Sequence, residues 1–125
     1  MNDTSWILVV EDDEDIREMI VLLLGIEGYE AVAARDGLDA LQRIRERGRP
    51  GMVFLDLRMP RMSGSDFAQA LRADPALAST PLIVLSGDAR ATEVAATVGA
   101  TKCLIKPLDL GELMDAVTRV LATAV

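Results

Sequence analysis

The chain has 125 residues, of which 50% are hydrophobic and 26% charged, and a formal net charge of −7; that is enough for one domain with a real core, and the wrong sign for a phosphate backbone as a partner. It contains no histidine and one cysteine, which excludes a histidine base, a histidine metal ligand, a phosphohistidine of its own and an internal disulfide, and suits a reducing, cytoplasmic setting. No apolar run approaches the ~20 residues of a membrane span, and the opening MNDTSW lacks the positive charge of a secretory signal.

The first predicted element is a strand at Ile7–Val10, four apolar residues that run straight into Glu11, Asp12, Asp13, Glu14 and Asp15. Ile16, Met19, Ile20, Leu23 and Glu27 then keep a helical period, with Gly28 as the stop. A weaker apolar run at 30–34 predicts an edge strand. Leu38, Leu41 and Ile44 predict a second helix, capped by Asp36 and terminated by Gly48. The run at 52–55 is a third strand, followed by Asp56. Phe67, Ala70 and Leu71 mark a third helix that ends near Asp74-Pro75. A fourth strand at 82–85 leads to Ser86. Val94, Ala95 and Val98 mark a short, alanine-rich helix ended by Gly99. A fifth strand at 103–105 leads to Lys106, and Leu110, Leu113, Met114, Val117 and Leu121 form the last helix behind Asp109 as cap.

The strands are β-branched-rich and mostly lack alternation, as strands buried on both faces do. Five β-α units predict an α/β fold: a five-stranded parallel sheet with helices on both faces, a three-layer sandwich whose common strand order is 2-1-3-4-5. No linker or repeat interrupts the pattern, so residues 1–125 read as a single domain without an output domain.

In such sheets ligands gather at the carboxyl ends of the strands. Those ends carry Glu11 and Asp12, then Asp56, Ser86 and Lys106. Each has a plain alternative. Asp13, Glu14 and Asp15 fit a helix start, where the macrodipole favours acids. Ser86 before Gly87 fits turn chemistry, Asp56 a strand terminator, and Lys106 a solvated lysine. Their placement after every core strand is the signal. No glycine-rich phosphate cradle follows the first strand. The acidic loop there asks for a cation, and oxygen-only ligands point to Mg²⁺, with Mn²⁺ as the alternative, more than to a Ca²⁺ loop.

These residues resemble the receiver domain of two-component response regulators, of the chemotaxis-regulator type. The likeness spans essentially the whole chain. It rests on Glu11-Asp12 after the first strand, Asp56 in DLRMPRMSG, Ser86 followed by Gly87, and Lys106-Pro107. The resemblance implies a flavodoxin-like (βα)5 fold and a non-enzymatic signalling switch. It implies that Asp56 accepts a phosphoryl group from a sensor histidine kinase or a histidine phosphotransfer protein. Asp12 and Asp56 would bind Mg²⁺ with the backbone carbonyl of Arg58, and Glu11 would act through water. Lys106, after a cis Lys106-Pro107 bond, would pair with the phosphoryl oxygens, and Ser86 would move toward them. An unknown downstream protein would read the change, and a homodimer formed on phosphorylation is left open.

Two departures from the family pattern stand out. Cys103 replaces the usual Tyr or Phe, and reads as a small buried hydrophobe; Leu108 stands where Phe is common. Arg58 and Asp88 flank the expected pocket, and a pair across its mouth would hinder water. Two other readings remain at this point. One is an aspartyl phosphatase, against which Arg58 stands where a second Asp would serve as general acid. The other is a pseudo-receiver that binds partners without phosphorylation.

Overall fold

Five strands and five helices alternate among the described residues of the computed structural model, which are 6–57, 62–87 and 91–123. The strands are β1 (Ile7–Val10), β2 (Ala31–Ala34), β3 (Met52–Asp56), β4 (Leu82–Ser86) and β5 (Lys102–Ile105). The helices are α1 (Glu14–Ile26), α2 (Gly37–Arg47), α3 (Gly64–Ala73), α4 (Ala91–Thr97) and α5 (Leu110–Thr123). All strand pairs are parallel, in the order β2-β1-β3-β4-β5. The predicted order and layering hold.

Every residue of β1, β3 and β4 is buried, which explains their unbroken apolar runs: both faces are covered. On one face Leu8, Val10, Val53, Leu55, Leu82 and Val84 meet Ala40 and Ile44 of α2, Phe67 and Leu71 of α3, and Ala95 of α4. On the other, Ile7, Val9, Phe54, Ile83 and Leu85 meet Ile20 and Leu24 of α1 and Leu113 and Val117 of α5. Alternate residues of one strand therefore feed two separate cores.

The helix ends follow the local chemistry. Asp13 caps α1, accepting from the amides of Asp15 and Ile16. Asp36 caps α2 and Asp109 accepts from the amide of Glu112 at the start of α5. Gly48 ends α2 with φ 86°, where a Cβ would be strained. Six boundaries differ slightly from the sequence expectation. β2 begins at Ala31, β5 begins at Lys102, Glu27 is a cap residue beyond α1, Val98 lies just past α4, and β3 and β4 extend to include Asp56 and Ser86. Ser63, which the apolar period did not reveal, caps α3 by accepting from the amide of Asp66.

One side chain stitches the far end of the sheet. Arg72, in the last turn of α3, donates to the carbonyls of Ala78 and Thr80 ahead of β4 and of Val98 and Gly99 between α4 and β5. It holds the C-terminal end of the seven-residue α4, where carbonyls lack intrahelical partners. Arg72→Ala is expected to cost about 2 kcal/mol in urea unfolding, since several charge-assisted bonds are lost together. A cost below about 0.5 kcal/mol would mean that water replaces them without loss.

Candidate functional site

Register alone brings the chemistry-bearing residues together. Val10 is opposite Leu55, so Glu11 and Asp56 leave the sheet side by side. Asp56 is opposite Leu85, and Ser86 is opposite Ile105, which places Ser86 next to Asp56 and just before Lys106. The Lys106 amide donates to the Ser86 carbonyl at 2.8 Å, which extends the ladder by one step. The Lys106-Pro107 bond is cis, as the resemblance implied.

Glu11, Asp12 and Asp56 each offer a carboxylate oxygen within 4.8 Å of the others. Their environments differ. Glu11 is 0% exposed and Asp56 4%, whereas Asp12 faces solvent. Asp56 is thus buried rather than merely closing a strand. The Lys106 ammonium lies 2.9 Å from Glu11 Oε1 and 3.7 Å from Asp56 Oδ2. It is no solvated lysine, being 22% exposed at the side chain. Burial pulls its pKa down, but the hydrogen bond with Glu11 and the charges of Asp56, Glu11 and Asp12 outweigh that, so the net direction is upward.

Glu11 is held from four sides. Its amide donates to the Ala34 carbonyl at 3.0 Å. Its Oε2 accepts from the Asp13 amide at 3.1 Å, Oε1 meets Lys106, and its carbonyl accepts from Arg17 Nη1 at 2.9 Å. Of the five consecutive acids, Asp13 is therefore a helix cap, Glu14 and Asp15 sit in the first turn of α1, and Glu11 and Asp12 face the sheet edge.

The backbone after Asp56 is set by α3. The Gly64 amide donates to the Leu57 carbonyl at 3.1 Å. A Cβ on Gly64 would lie 2.5 Å from the Asp56 carbonyl oxygen and 2.5 Å from Leu57 Cα. Only glycine lets the helix start this close to the strand end. Met62 packs over Gly37 at the start of α2, which anchors the other end of the same loop. Arg58 and Asp88, the first offered as a metal ligand through its carbonyl and both as flanks of the pocket, lie outside the described residues.

The donor set is all oxygen, with two buried carboxylates beside an exposed one. That fits a hard divalent ion that keeps part of its water shell, and suits Mg²⁺ better than a softer metal. The sequence did not mark Arg17 or Gly64, because their roles depend on contacts and not on type. Cys103 half-faces the core beside α4. Burial pushes its thiol up, against an opposing hydrogen bond with Thr92; it packs against the core as expected, but half-buried rather than buried. No described helix is long and apolar enough to cross a membrane.

Residues 7–118 match the model of the response regulator receiver domain. The DNA-binding response regulator MtrA of Mycobacterium tuberculosis is 36% identical over 110 residues, covering 86% of this chain and 46% of that protein. Protein PilG of Pseudomonas aeruginosa is 33% identical over 118 residues, covering 93% of this chain and 87% of its own length. The chain thus spans about half the length of MtrA and most of PilG. Among solved structures, the chemotaxis protein CheY4 of Vibrio cholerae superposes with a TM-score of 0.86 at 32% identity, over 94% of this chain and 99% of that one. A response regulator receiver protein from Pseudomonas putida gives a TM-score of 0.86 at 33% identity, over 95% and 99%. Sheet order, the acidic edge and these likenesses agree: the chain belongs to the response regulator receiver domain family.

Proposed function

We propose that this chain is a phosphorylation-driven switch in which Asp56 accepts a phosphoryl group from a histidine of a partner protein. The observation that supports this most is the meeting of Asp56 with Glu11 and Asp12 within 4.8 Å while Lys106 stands 3.7 Å away. A buried carboxylate flanked by a cation and a second acidic pair is arranged for phosphoryl transfer, which depends on positioning and on charge stabilisation. In the transfer an Asp56 oxygen forms the new O–P bond as the donor's N–P bond breaks, and the imidazole leaves with the electron pair and takes up a proton. Lys106 stabilises the equatorial oxygens, and Ser86, one strand across, is placed to bond to them afterwards. Asp12 and Asp56 would hold Mg²⁺, with Glu11 reaching it through water and the Arg58 carbonyl as a further ligand. The ion, when bound, supplies neutralisation of charge on the phosphoryl oxygens. The chain's own catalysis is confined to gaining and losing this group.

With no histidine among these 125 residues, the phosphoryl donor lies outside this domain. A sensor histidine kinase or a histidine phosphotransfer protein in the cytoplasm meets that need. The message leaves through protein contacts to a downstream partner.

Incubation with acetyl phosphate and Mg²⁺ tests the reading. The expected product is one phosphoryl group per chain, labile to hydroxylamine, absent from Asp56→Asn and absent without metal. No adduct would favour a pseudo-receiver, and rapid turnover of diverse phosphoesters would favour a phosphatase. In parallel, Mg²⁺ at ten times its dissociation constant should raise unfolding stability by about 1.4 kcal/mol. Thermal unfolding indifferent to Mg²⁺ would count against the metal site.

A further inference from the structure

Arg17 is not among the residues the sequence singled out, yet it touches the acidic loop. It lies in the first turns of α1, half-buried, and its Nη1 donates to the Glu11 carbonyl at 2.9 Å, six residues back. That carbonyl belongs to the peptide unit joining Glu11 to Asp12. Its orientation therefore sets the direction in which Asp12 leaves the strand. The peptide is planar, so fixing its oxygen fixes its amide as well. On the far side, Asp13 is anchored as the cap of α1 by bonds from Asp15 and Ile16. Asp12 is the one residue between these two anchors.

We propose that Arg17 is a positioning residue for the acidic loop, holding the Glu11–Asp12 peptide so that the Asp12 carboxylate faces Asp56. The consequence for metal binding rests on the reading of Glu11, Asp12 and Asp56 as the Mg²⁺ site. Arg17 acts through the backbone of the residue that precedes the exposed carboxylate. A hydrogen bond beyond the ligands commonly governs metal affinity in this way.

The sign of the effect separates positioning from charge. A guanidinium near a cation site repels the cation. If Arg17 contributed charge alone, Arg17→Met would tighten Mg²⁺ binding. If it positions the peptide, Arg17→Met loosens the loop and weakens binding, by about tenfold. Arg17→Lys keeps the charge on a shorter stem; positioning predicts weaker binding than wild type, and charge alone predicts no change.

Isothermal titration of wild type, Arg17→Met and Arg17→Lys with MgCl₂ reads the affinity. Amide hydrogen exchange on the metal-free proteins reads the loop directly. Faster exchange of the Asp13 amide, which is bonded to Glu11 Oε2, is expected in Arg17→Met, with the amides of β1 unchanged. Met-variant binding as tight as wild type or tighter overturns the proposal. Should the Met variant fail to fold, wild-type affinity and exchange in Arg17→Lys overturn it instead. Failure of the wild type to bind Mg²⁺ refutes the metal reading alone; the exchange measurement needs no metal and still decides whether Arg17 holds the loop.

Discussion

Lys106→Met is expected to destabilise the metal-free protein by about 3–5 kcal/mol. Glu11 is fully buried and its Oε1 meets the Lys106 ammonium at 2.9 Å; Asp56, also buried, is 3.7 Å away. Removing the ammonium takes away the cation that these two buried carboxylates share. An exposed ion pair contributes only about 0–1 kcal/mol, so the size of the loss reports how far this pair is withdrawn from water. The reverse deletion should cost less. Glu11→Gln leaves Lys106, which is partly exposed, beside Asp56 and within reach of water. The amide oxygen of Gln can still accept from Asp13. In the double variant most of the stability lost by Lys106→Met should return, which a double-mutant cycle on urea unfolding measures. Mg²⁺ should stabilise Lys106→Met more than it stabilises the wild type, because the ion then stands in for the positive charge of the lost ammonium. A loss below about 1 kcal/mol for Lys106→Met would show that Glu11 is solvated, and the electrostatic account of the site would fall.

That pair also shows where the sequence is a good guide and where it stops. Ile7–Val10, Met52–Leu55 and Leu82–Leu85 announce themselves because burial on both faces demands uninterrupted apolar residues; the extension of two of these strands to the polar Asp56 and Ser86 does not. Asp36, Gly48 and Gly99 are legible because caps and left-handed positions select residue types locally. The site is legible at the level of placement: parallel strands in this order bring Glu11, Asp12, Asp56, Ser86 and Lys106 to one rim whatever their side chains do. The pairing within that rim is not legible. Nothing in the chain says that Lys106 rests closer to Glu11 than to Asp56, since that depends on differences of under 1 Å. Arg17 and Arg72 escape for a related reason. Each is an arginine at an ordinary helical position, and each gains its role from carbonyls brought near by the fold, six residues away for Arg17 and up to 27 for Arg72. Sequence period reports which face a residue occupies, not what its long side chain reaches.

Glycine substitutions test the geometry of the loop after Asp56 from the backbone side. Gly64→Ala is expected to cost about 1–3 kcal/mol, with Gly25→Ala as a control that stabilises by about 0.5 kcal/mol. The substitution is the same and both sites are helical, so the intrinsic helix preference for alanine favours both by up to about 1 kcal/mol. Space decides the difference. Around Gly25 nothing lies within 4 Å of a new Cβ. At Gly64 the new Cβ meets two backbone atoms at 2.5 Å, the Asp56 carbonyl oxygen and Leu57 Cα. Backbone cannot rotate aside as a side chain would, so α3 or the end of β3 must move. Either movement strains the bond from the Gly64 amide to the Leu57 carbonyl at 3.1 Å, worth about 1 kcal/mol. The clash, at about 1–3 kcal/mol, together with that bond exceeds the helical gain. The displacement falls on Asp56 itself, so phosphoryl uptake from acetyl phosphate should drop even under conditions where the variant stays folded. Equal stability and equal uptake in Gly64→Ala and wild type would mean that the close approach of α3 to Asp56 does not exist in solution. Weakened uptake with unchanged stability would locate the cost in the geometry around Asp56 alone.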